Sequence, residues 1–331
     1  LVRYTKAYKF KLKGNRMKVT AQISNTRTDS HGQRMTKASL DKLADQINNT
    51  EKPNFAGVEH DSSIPPVGRW LNAFVIKADD NEYELYATQE IYEKTSYVLL
   101  EDGTKLIKLS SELNDKEFEP SLSSAPEKPF ISFDMINFGG KLESDNIVAE
   151  IKKEFKNEIE FKYLIRKSDT PPPEIVFILT NLMSNYLFDK VRDKAFDNFF
   201  ENIENIILNY FYFIKFSLRL LIEKKPENQE NQKVVFKSKG DPEITLIFKT
   251  SDPDLITRNL SKESLNQISD RVNSLKNIKA RSIQFTFDET TGKWILNYLI
   301  DSSGNILGNE ELMTEHTKIR EILINSLKPS K

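Results

Sequence analysis

The sequence predicts an α+β protein with two domains. Its 331 residues are enough for two domains of ordinary size. The first half contains short alternating segments separated by turn signals, and the second half contains a long apolar helical segment followed by further strands. A proline-rich stretch at residues 168–174, "SDTPPPE", separates the halves and cannot continue a helix. We therefore expect one domain at 1–167, a linker at 168–174 and a second domain at 175–331.

The first elements are strands and one helix. Residues 3–24 alternate loosely and predict two strands around the turn "KGNR". Thr36 is the predicted N-cap of an amphipathic helix, because the apolar side chains that follow it share one face as far as Ile47. Residues 67–91 then predict two strands around the turn "ADDNE".

The next segment carries two adjacent serines. Residues 94–113, "KTSYVLLEDGTKLIKLSSEL", predict a short helix, an Asp-Gly turn and a strand that runs into Ser110 and Ser111. A polar, proline-containing loop follows, and "FISFDMINF" at residues 130–138 predicts another strand.

Beyond the linker, the pattern changes to longer helices and a sheet. We expect an apolar helical stretch from Ile175 to Leu187 and a long apolar helix that ends near Leu221. Two strands, a helix at 261–275, two more strands and a closing helix at 310–327 follow. This order predicts a mostly antiparallel sheet that is covered by helices.

The composition argues against several classes of protein. The net charge of −1 does not indicate nucleic-acid binding, and the absence of cysteine excludes disulfides and thiolate catalysis. Residues 206–222 are apolar, but Lys215 and Arg219 near their middle would each cost roughly 2.5–3.5 kcal/mol in a membrane. We expect a cytoplasmic protein without a membrane span, in which these two cations share one helix face.

No metal or cofactor is predicted. The three histidines, His31, His60 and His316, are far apart in the sequence, and no His-x-x-x-His pattern or cysteine pair exists. The chain also lacks a glycine-rich phosphate loop of the Walker type.

One stretch holds a histidine in a setting that suits catalysis. Residues 57–70, "GVEHDSSIPPVGRW", place His60 beside an aspartate, a Pro-Pro pair and a Gly-Arg dipeptide. A serine nucleophile needs a base within hydrogen-bond reach and a third group that orients this base. A capping or surface histidine is the alternative for His60, and a solvated surface role is expected for His31 in "TDSHGQR".

Together with three other segments, this stretch resembles the prohead (capsid maturation) proteases of tailed bacteriophages, which share the herpesvirus assemblin-like fold. The similar segments are residues 25–48, 57–70, 95–113 and 130–138. The resemblance covers about residues 5–150 and does not extend to the C-terminal domain. It implies a mainly-β, barrel-like first domain with flanking helices.

The resemblance also implies a catalytic triad. His60 would be the general base, Ser110 the nucleophile, because it follows an aliphatic residue, and Asp134 the acid that orients the imidazole. Gly68 and Arg69 match the glycine and the basic residue after the histidine of the family, and we expect them to shape the wall of the site or its oxyanion region.

Four residues compete with this assignment or depart from it. Glu112 would place a negative charge near a developing oxyanion, where the family commonly has a small residue. Ser111 is the alternative nucleophile, because side chains alternate along a strand and only one of the two serines can face the histidine. Glu143 is an alternative acid. His31 is another candidate for the third member, because the herpesvirus relatives use a second histidine there.

We therefore expect a serine endopeptidase that cleaves a protein partner, either in phage capsid or scaffold processing or as a bacterial antiviral-defence protease. The C-terminal domain is expected to sense or dock a protein partner. The alternative is a catalytically inactive protease fold that serves as a binding protein, and Glu112 favours this alternative. The sequence leaves the oligomeric state open.

Overall fold

The fold is given by a computed structural model. The structure describes residues 7–8, 18–29, 32, 34–49, 55–57, 61–92, 94–110, 127–156, 159–164, 174–180, 183–184, 200–224 and 232–326. The strands are β1 (Ala7–Tyr8), β2 (Lys18–Asn25), β3 (Phe55–Ala56), β4 (Gly68–Lys77), β5 (Tyr83–Ile91), β6 (Lys94–Leu99), β7 (Lys105–Ser110), β8 (Phe130–Asp134), β9 (Glu160–Leu164), β10 (Glu174–Ile178), β11 (Lys233–Ser238), β12 (Glu243–Phe248), β13 (Ala280–Asp288), β14 (Lys293–Asp301) and β15 (Ile306–Gly308). The α-helices of the described residues are α1 (Lys37–Asn48), α2 (Gly140–Glu154), α3 (Phe200–Glu223), α4 (Pro253–Asn259), α5 (Lys262–Ser274) and α6 (Glu310–Ser326).

The strands form two sheets. The first sheet has the order β1-β2-β5-β4-β3, and each of its strands is antiparallel to its neighbours. The second sheet has ten strands in the order β6-β7-β15-β14-β13-β12-β11-β10-β8-β9. The predicted α+β class is therefore confirmed.

The chain divides into two compact units. The first comprises residues 1–121, 167–171 and 297–331, and the second comprises 122–166 and 172–296. Residues 168–173 of the predicted linker lie outside the described residues, and the predicted division there stays a prediction. The first unit includes the C-terminal residues because β15 pairs antiparallel with β7, with Ile306 opposite Leu109.

In the first unit, α1 covers one face of the five-stranded sheet. Its buried side chains, Leu40, Ala44 and Ile47, pack against buried residues of β4 and β5. Thr36 begins the helix as predicted, since its hydroxyl accepts a hydrogen bond of 3.1 Å from the backbone N–H of Ser39.

The segment that was predicted as a short helix before the Asp-Gly turn is a strand. β6 pairs with β7 from Lys94↔Ser110 to Leu99↔Lys105. Gly103 adopts a positive φ of 81° in the turn, and the N–H of Leu100 donates to Thr104 at 2.8 Å. The helix prediction is wrong because the aromatic and β-branched residues of β6 gain a hydrogen-bonded partner in β7, which helical periodicity cannot reveal.

The second unit contains a mixed sheet rather than a mostly antiparallel one. Among its described strands, β8–β9, β10–β11 and β12–β13 pair in parallel, whereas β8–β10 and β11–β12 pair antiparallel. The predicted helical stretch that begins at Ile175 is wrong at its start, because residues 174–178 form β10. Central strands that are buried on both faces are continuously apolar, and such runs resemble buried helices in sequence. α2, which follows β8, was not predicted.

The long helix of the second unit, α3, is amphipathic rather than apolar all round. Phe213, Leu218 and Leu221 are buried on one side, whereas the side chains of Lys215 and Arg219 are 37% and 53% exposed on another. Lys215 and Arg219 share one face, as predicted, because both form ion pairs with Asp254 at the start of α4. Within the described residues, no helix combines the length and the apolar character that a membrane crossing requires.

Gly68 lies where β4 comes close to the backbone of β5. A Cβ atom at this position would stand 2.0 Å from the backbone oxygen of Glu90, which is far inside van der Waals contact. The glycine of the histidine stretch is therefore required by packing between the two strands.

We predict that Gly68→Ala destabilises the protein by about 3 kcal/mol, because backbone atoms of β5 must move to admit the methyl group. Gly57→Ala is the matched control, since a Cβ there meets nothing within 4 Å, and we expect a change below about 0.5 kcal/mol. Urea unfolding followed by circular dichroism measures both values. Equal midpoints for the two variants would contradict this explanation of Gly68.

Candidate serine–histidine site

His60, His31 and Ser111 lie outside the described residues, whereas Ser110, Asp134 and Glu143 lie within them. The first unit contains His31, His60, Ser110 and Ser111, and the second unit contains Asp134 and Glu143. The site is therefore built from the described residues on either side of His60 and from the strand that ends at Ser110.

Arg69 forms a buried ion pair and is not part of an open wall. Its guanidinium donates from Nε and Nη2 to Oε2 of Glu90, each at 3.0 Å. Arg69 is 7% exposed and Glu90 only 2%. Because breaking a buried pair leaves an uncompensated charge, the structural role of Arg69 explains its presence. Strand packing and this ion pair account for Gly68 and Arg69, and their expected role in shaping the site stays a prediction.

The loop after His60, residues 61–67, is held by contacts at both ends. The hydroxyl of Ser63 donates to Asp61 at 2.6 Å, and the side chain of Asn297 donates to the carbonyl of Ser63 at 2.8 Å. Pro65, Pro66 and Val67 are buried. The loop that follows the candidate base is therefore packed against the first unit.

Tyr92 links this loop to the serine strand. Its N–H donates to the carbonyl of Val67 at 3.2 Å, and its hydroxyl donates to the carbonyl of Gly304 at 2.8 Å. Its ring lies in a hydrophobic cluster with Leu109, the neighbour of Ser110, and Phe55 of β3 packs against the same cluster. The strand before His60, the loop after it and the strand of Ser110 therefore meet at Tyr92. Burial raises the pKa of this phenol above its usual range, which keeps the hydroxyl protonated.

Ser110 is half-buried at the last position of β7, opposite Lys94. Because side chains alternate, Ser110 shares a face with Lys108, whereas Leu109 points to the Tyr92 cluster. The ammonium of Lys108 lies 3.7 Å from Oδ2 of Asp301. A carboxylate and a lysine therefore lie on the same face of the sheet as the candidate nucleophile.

Asp301 organises the turn between β14 and β15. Its Oδ1 accepts from the N–H groups of Ser303 and Asn305 at 2.9 and 2.8 Å, and its Oδ2 accepts from the side-chain amide of Asn305 at 2.7 Å. Sequence analysis did not single out this residue. The Asp-Ser-Ser-Gly-Asn sequence signals the turn, but its pairing beside β7 is a long-range contact.

The two predicted carboxylate candidates have other surroundings. Asp134 ends β8 and is buried, and its Oδ1 caps a 3-10 turn by accepting from the N–H of Ile136 at 3.0 Å. Glu143 is exposed in the first turn of α2. Asp134 and Glu143 belong to the second unit and Ser110 to the first, so their assignment as the acid stays a prediction.

The residues around His31 lie at the opposite end of the five-stranded sheet from the histidine loop. Arg27 bonds Asp80 at 2.7 Å and Arg34 bonds Glu82 at 2.8 Å, so this segment borders the β4–β5 turn. β5 runs from that turn to Ile91, roughly 26 Å away at ~3.3 Å per residue.

Nothing in the described part of the chain groups three or more histidine or acidic residues in a way that could hold a metal ion. The remaining histidine, His316 of α6, is buried, and its Nε2 lies 3.0 Å from the carbonyl oxygen of Pro66. Since a carbonyl only accepts, Nε2 carries the proton. Nδ1 is buried without a hydrogen-bond partner among the described residues. Burial, with a smaller effect from Arg320, lowers the pKa of His316 to about 4.

We predict that His316 makes the protein sensitive to acid. Its pKa in the folded state lies below the unfolded value of ~6.5, so the unfolded chain binds the extra proton first and stability is lost as pH falls from 6.5 towards 4. The expected loss is on the order of 3 kcal/mol by pH 4. His316→Gln keeps a donor for Pro66 but does not titrate. Urea unfolding at both pH values should therefore show a smaller acid loss for this variant, and parallel curves would contradict the assignment.

Comparisons with protein-family models, curated proteins and solved structures give no match to this chain. The contacts that define the candidate site lie in the first unit. These are the cluster around Tyr92, the packed loop after His60 and the polar face that carries Ser110.

Proposed function

We propose that the chain is a serine endopeptidase of the prohead-protease type, with His60 as general base and Ser110 as nucleophile. The observation that carries the proposal is the convergence at Tyr92 of the strand before His60, the loop after it and the strand of Ser110. A base and a nucleophile that lie 50 positions apart in sequence need such a link to come within hydrogen-bond reach. The substrate is a protein partner, as in phage capsid or scaffold processing or bacterial antiviral defence.

Asp301 replaces Asp134 as the acid in this proposal. It belongs to the same unit as His60 and Ser110, and it lies on the face of the second sheet that carries Ser110. Its carboxylate is fixed in place by bonds from Ser303 and Asn305, so it would supply a negative charge that does not need to reorganise during the reaction. Asp134 and Glu143 belong to the other unit.

A protein-binding role without catalysis is the second candidate. The observation that favours it is the same set of bonds to Asp301, which a turn of this kind requires whether or not a histidine is near. The buried pair Arg69–Glu90 is likewise explained by stability alone. In this case the first unit would be a scaffold, and the second would dock a protein partner.

We predict that a fluorophosphonate probe labels the wild-type protein and that Ser110→Ala abolishes labelling. Ser111→Ala is the matched control and should retain it, because the alternation expected from the sequence lets only one of the two serines face the histidine. His60→Ala should slow labelling by about 100-fold or more, since proton transfer to a positioned base contributes this much. Absence of labelling in the folded wild-type protein would support the binding role, and labelling that survives Ser110→Ala but not Ser111→Ala would move the nucleophile by one residue.

We further predict that the acid can be identified by the rate of the same labelling. Asp301→Asn should slow it by roughly 10-fold or more, because the carboxylate no longer stabilises the imidazolium. Asp134→Asn, Glu143→Gln and His31→Ala should stay within about 3-fold of wild type. Asp288→Asn controls for damage to a turn, since Asp288 also accepts a backbone N–H, that of Thr290, at 2.9 Å. Slow labelling in Asp134→Asn with Asp301→Asn unaffected would restore the original assignment.

A further inference from the structure

We propose that β6 is a self-association strand, through which two copies of this chain pair edge to edge. β6 is the first strand in the order of the second sheet, and its pairing partner among the described strands is β7. Its open side therefore presents backbone groups to which another strand can bond.

The residues with outward-facing backbone groups can be identified. The N–H of Leu100 donates to the carbonyl of Thr104 across the hairpin. In an antiparallel pair, the backbone groups of every second residue point to the same side, so the N–H and C=O groups of Val98, Ser96 and Lys94 point towards β7. The N–H and C=O groups of the residues between them point to the open side. These residues are Thr95, Tyr97 and Leu99.

The same strand exposes large apolar side chains. Tyr97 is 59% exposed and Leu99 is 73% exposed, and both lie on one face because they are two positions apart. The ammonium of Lys105 lies 3.8 Å from the centre of the Tyr97 ring and covers it in part. β6 has no proline and no bulge in its pairing with β7, and its one charged residue, Lys94, stands at its first position, so Thr95 to Leu99 lack the usual features that block edge pairing.

A second copy of the chain fits this edge because the strand is complementary to itself. Its first residues, Lys94 to Ser96, are polar and its last, Tyr97 to Leu99, are apolar. In an antiparallel pair centred on Val98, Tyr97 of each copy lies opposite Leu99 of the second copy. Both positions direct their backbone bonds outward, so each such pair exchanges two hydrogen bonds.

Charge supports the same register. When Tyr97 lies opposite Leu99 of the second copy, Lys94 lies just beyond the end of the second copy's β6, next to the turn that follows it. The basic end of each strand therefore lies beside the acidic turn of its partner, which contains Glu101 and Asp102. Since the two-fold axis repeats every contact, one favourable charge pair becomes two.

The experiment is sedimentation velocity of the full chain from about 1 to about 200 µM. The range extends to high concentration because an interface of one strand pair is smaller than the ~1,600 Å² of a standard complex and is expected to be weak. The wild type is expected to dimerise reversibly with rising concentration. Leu99→Lys should remain monomeric, and Leu142→Lys should behave as wild type. Leu142 of α2 is also 73% exposed, so the two variants change the same residue type at equal exposure.

A charge exchange tests the register and the identity of the partner. Tyr97→Lys and Leu99→Glu should each weaken the dimer at least 10-fold. The double variant Y97K/L99E should restore it, because the introduced lysine of one copy lies opposite the introduced glutamate of the other. A wild type that stays monomeric at 200 µM, an equal effect of Leu99→Lys and Leu142→Lys, or a double variant no tighter than its parents would each overturn the proposal. Binding of an extended peptide by a monomeric wild type would assign the edge to a different occupant.

Discussion

The buried residue Tyr92 is the constraint on which the first unit depends. Its N–H holds the loop before β4, its carbonyl accepts from Arg320 of α6 at 2.5 Å, and its hydroxyl bonds the turn before β15. These contacts join three parts of the chain that are far apart in sequence. Removing any one of them would leave a buried polar group unpaired, which costs about 1–3 kcal/mol. The C-terminal residues are therefore part of the unit that holds His60 and Ser110.

Local features of the sequence predicted the local structure well. The helix after Thr36 has the N-cap and the buried face that its pattern indicated, and the segments around "ADDNE" form the paired strands β4 and β5. Such elements depend on contacts within a few residues. β6 and β10 were predicted as helical. Both are strands because of distant pairing partners that the local sequence does not show, which are β7 for β6 and β8 and β11 for β10. The first unit is discontinuous in sequence for the same reason, since β15 pairs with a strand almost 200 positions before it.

For the candidate site, sequence analysis identified residue types but not their surroundings. Gly68 and Arg69 looked like parts of a site, yet the close approach of β5 and the carboxylate of Glu90 account for both. His316, to which the sequence assigned no role, contacts the carbonyl of Pro66 in the histidine loop. Its position four residues before Arg320 on α6 would have suggested a shared helix face, but no local signal connects that face with the loop.

The two strands of the β6–β7 hairpin have separate proposed roles, self-association for β6 and catalysis for β7. Ser110 ends β7 on a half-buried face beside Lys108, whereas Tyr97 and Leu99 are exposed on β6. Ser110 lies opposite Lys94, at the far end of β6 from Leu99. A charge introduced at Leu99 is therefore about 16 Å from the candidate nucleophile at ~3.3 Å per residue, and exposed charges at this distance are largely screened at physiological salt. Assembly and catalysis can thus be perturbed separately, so a loss of one does not imply a loss of the other.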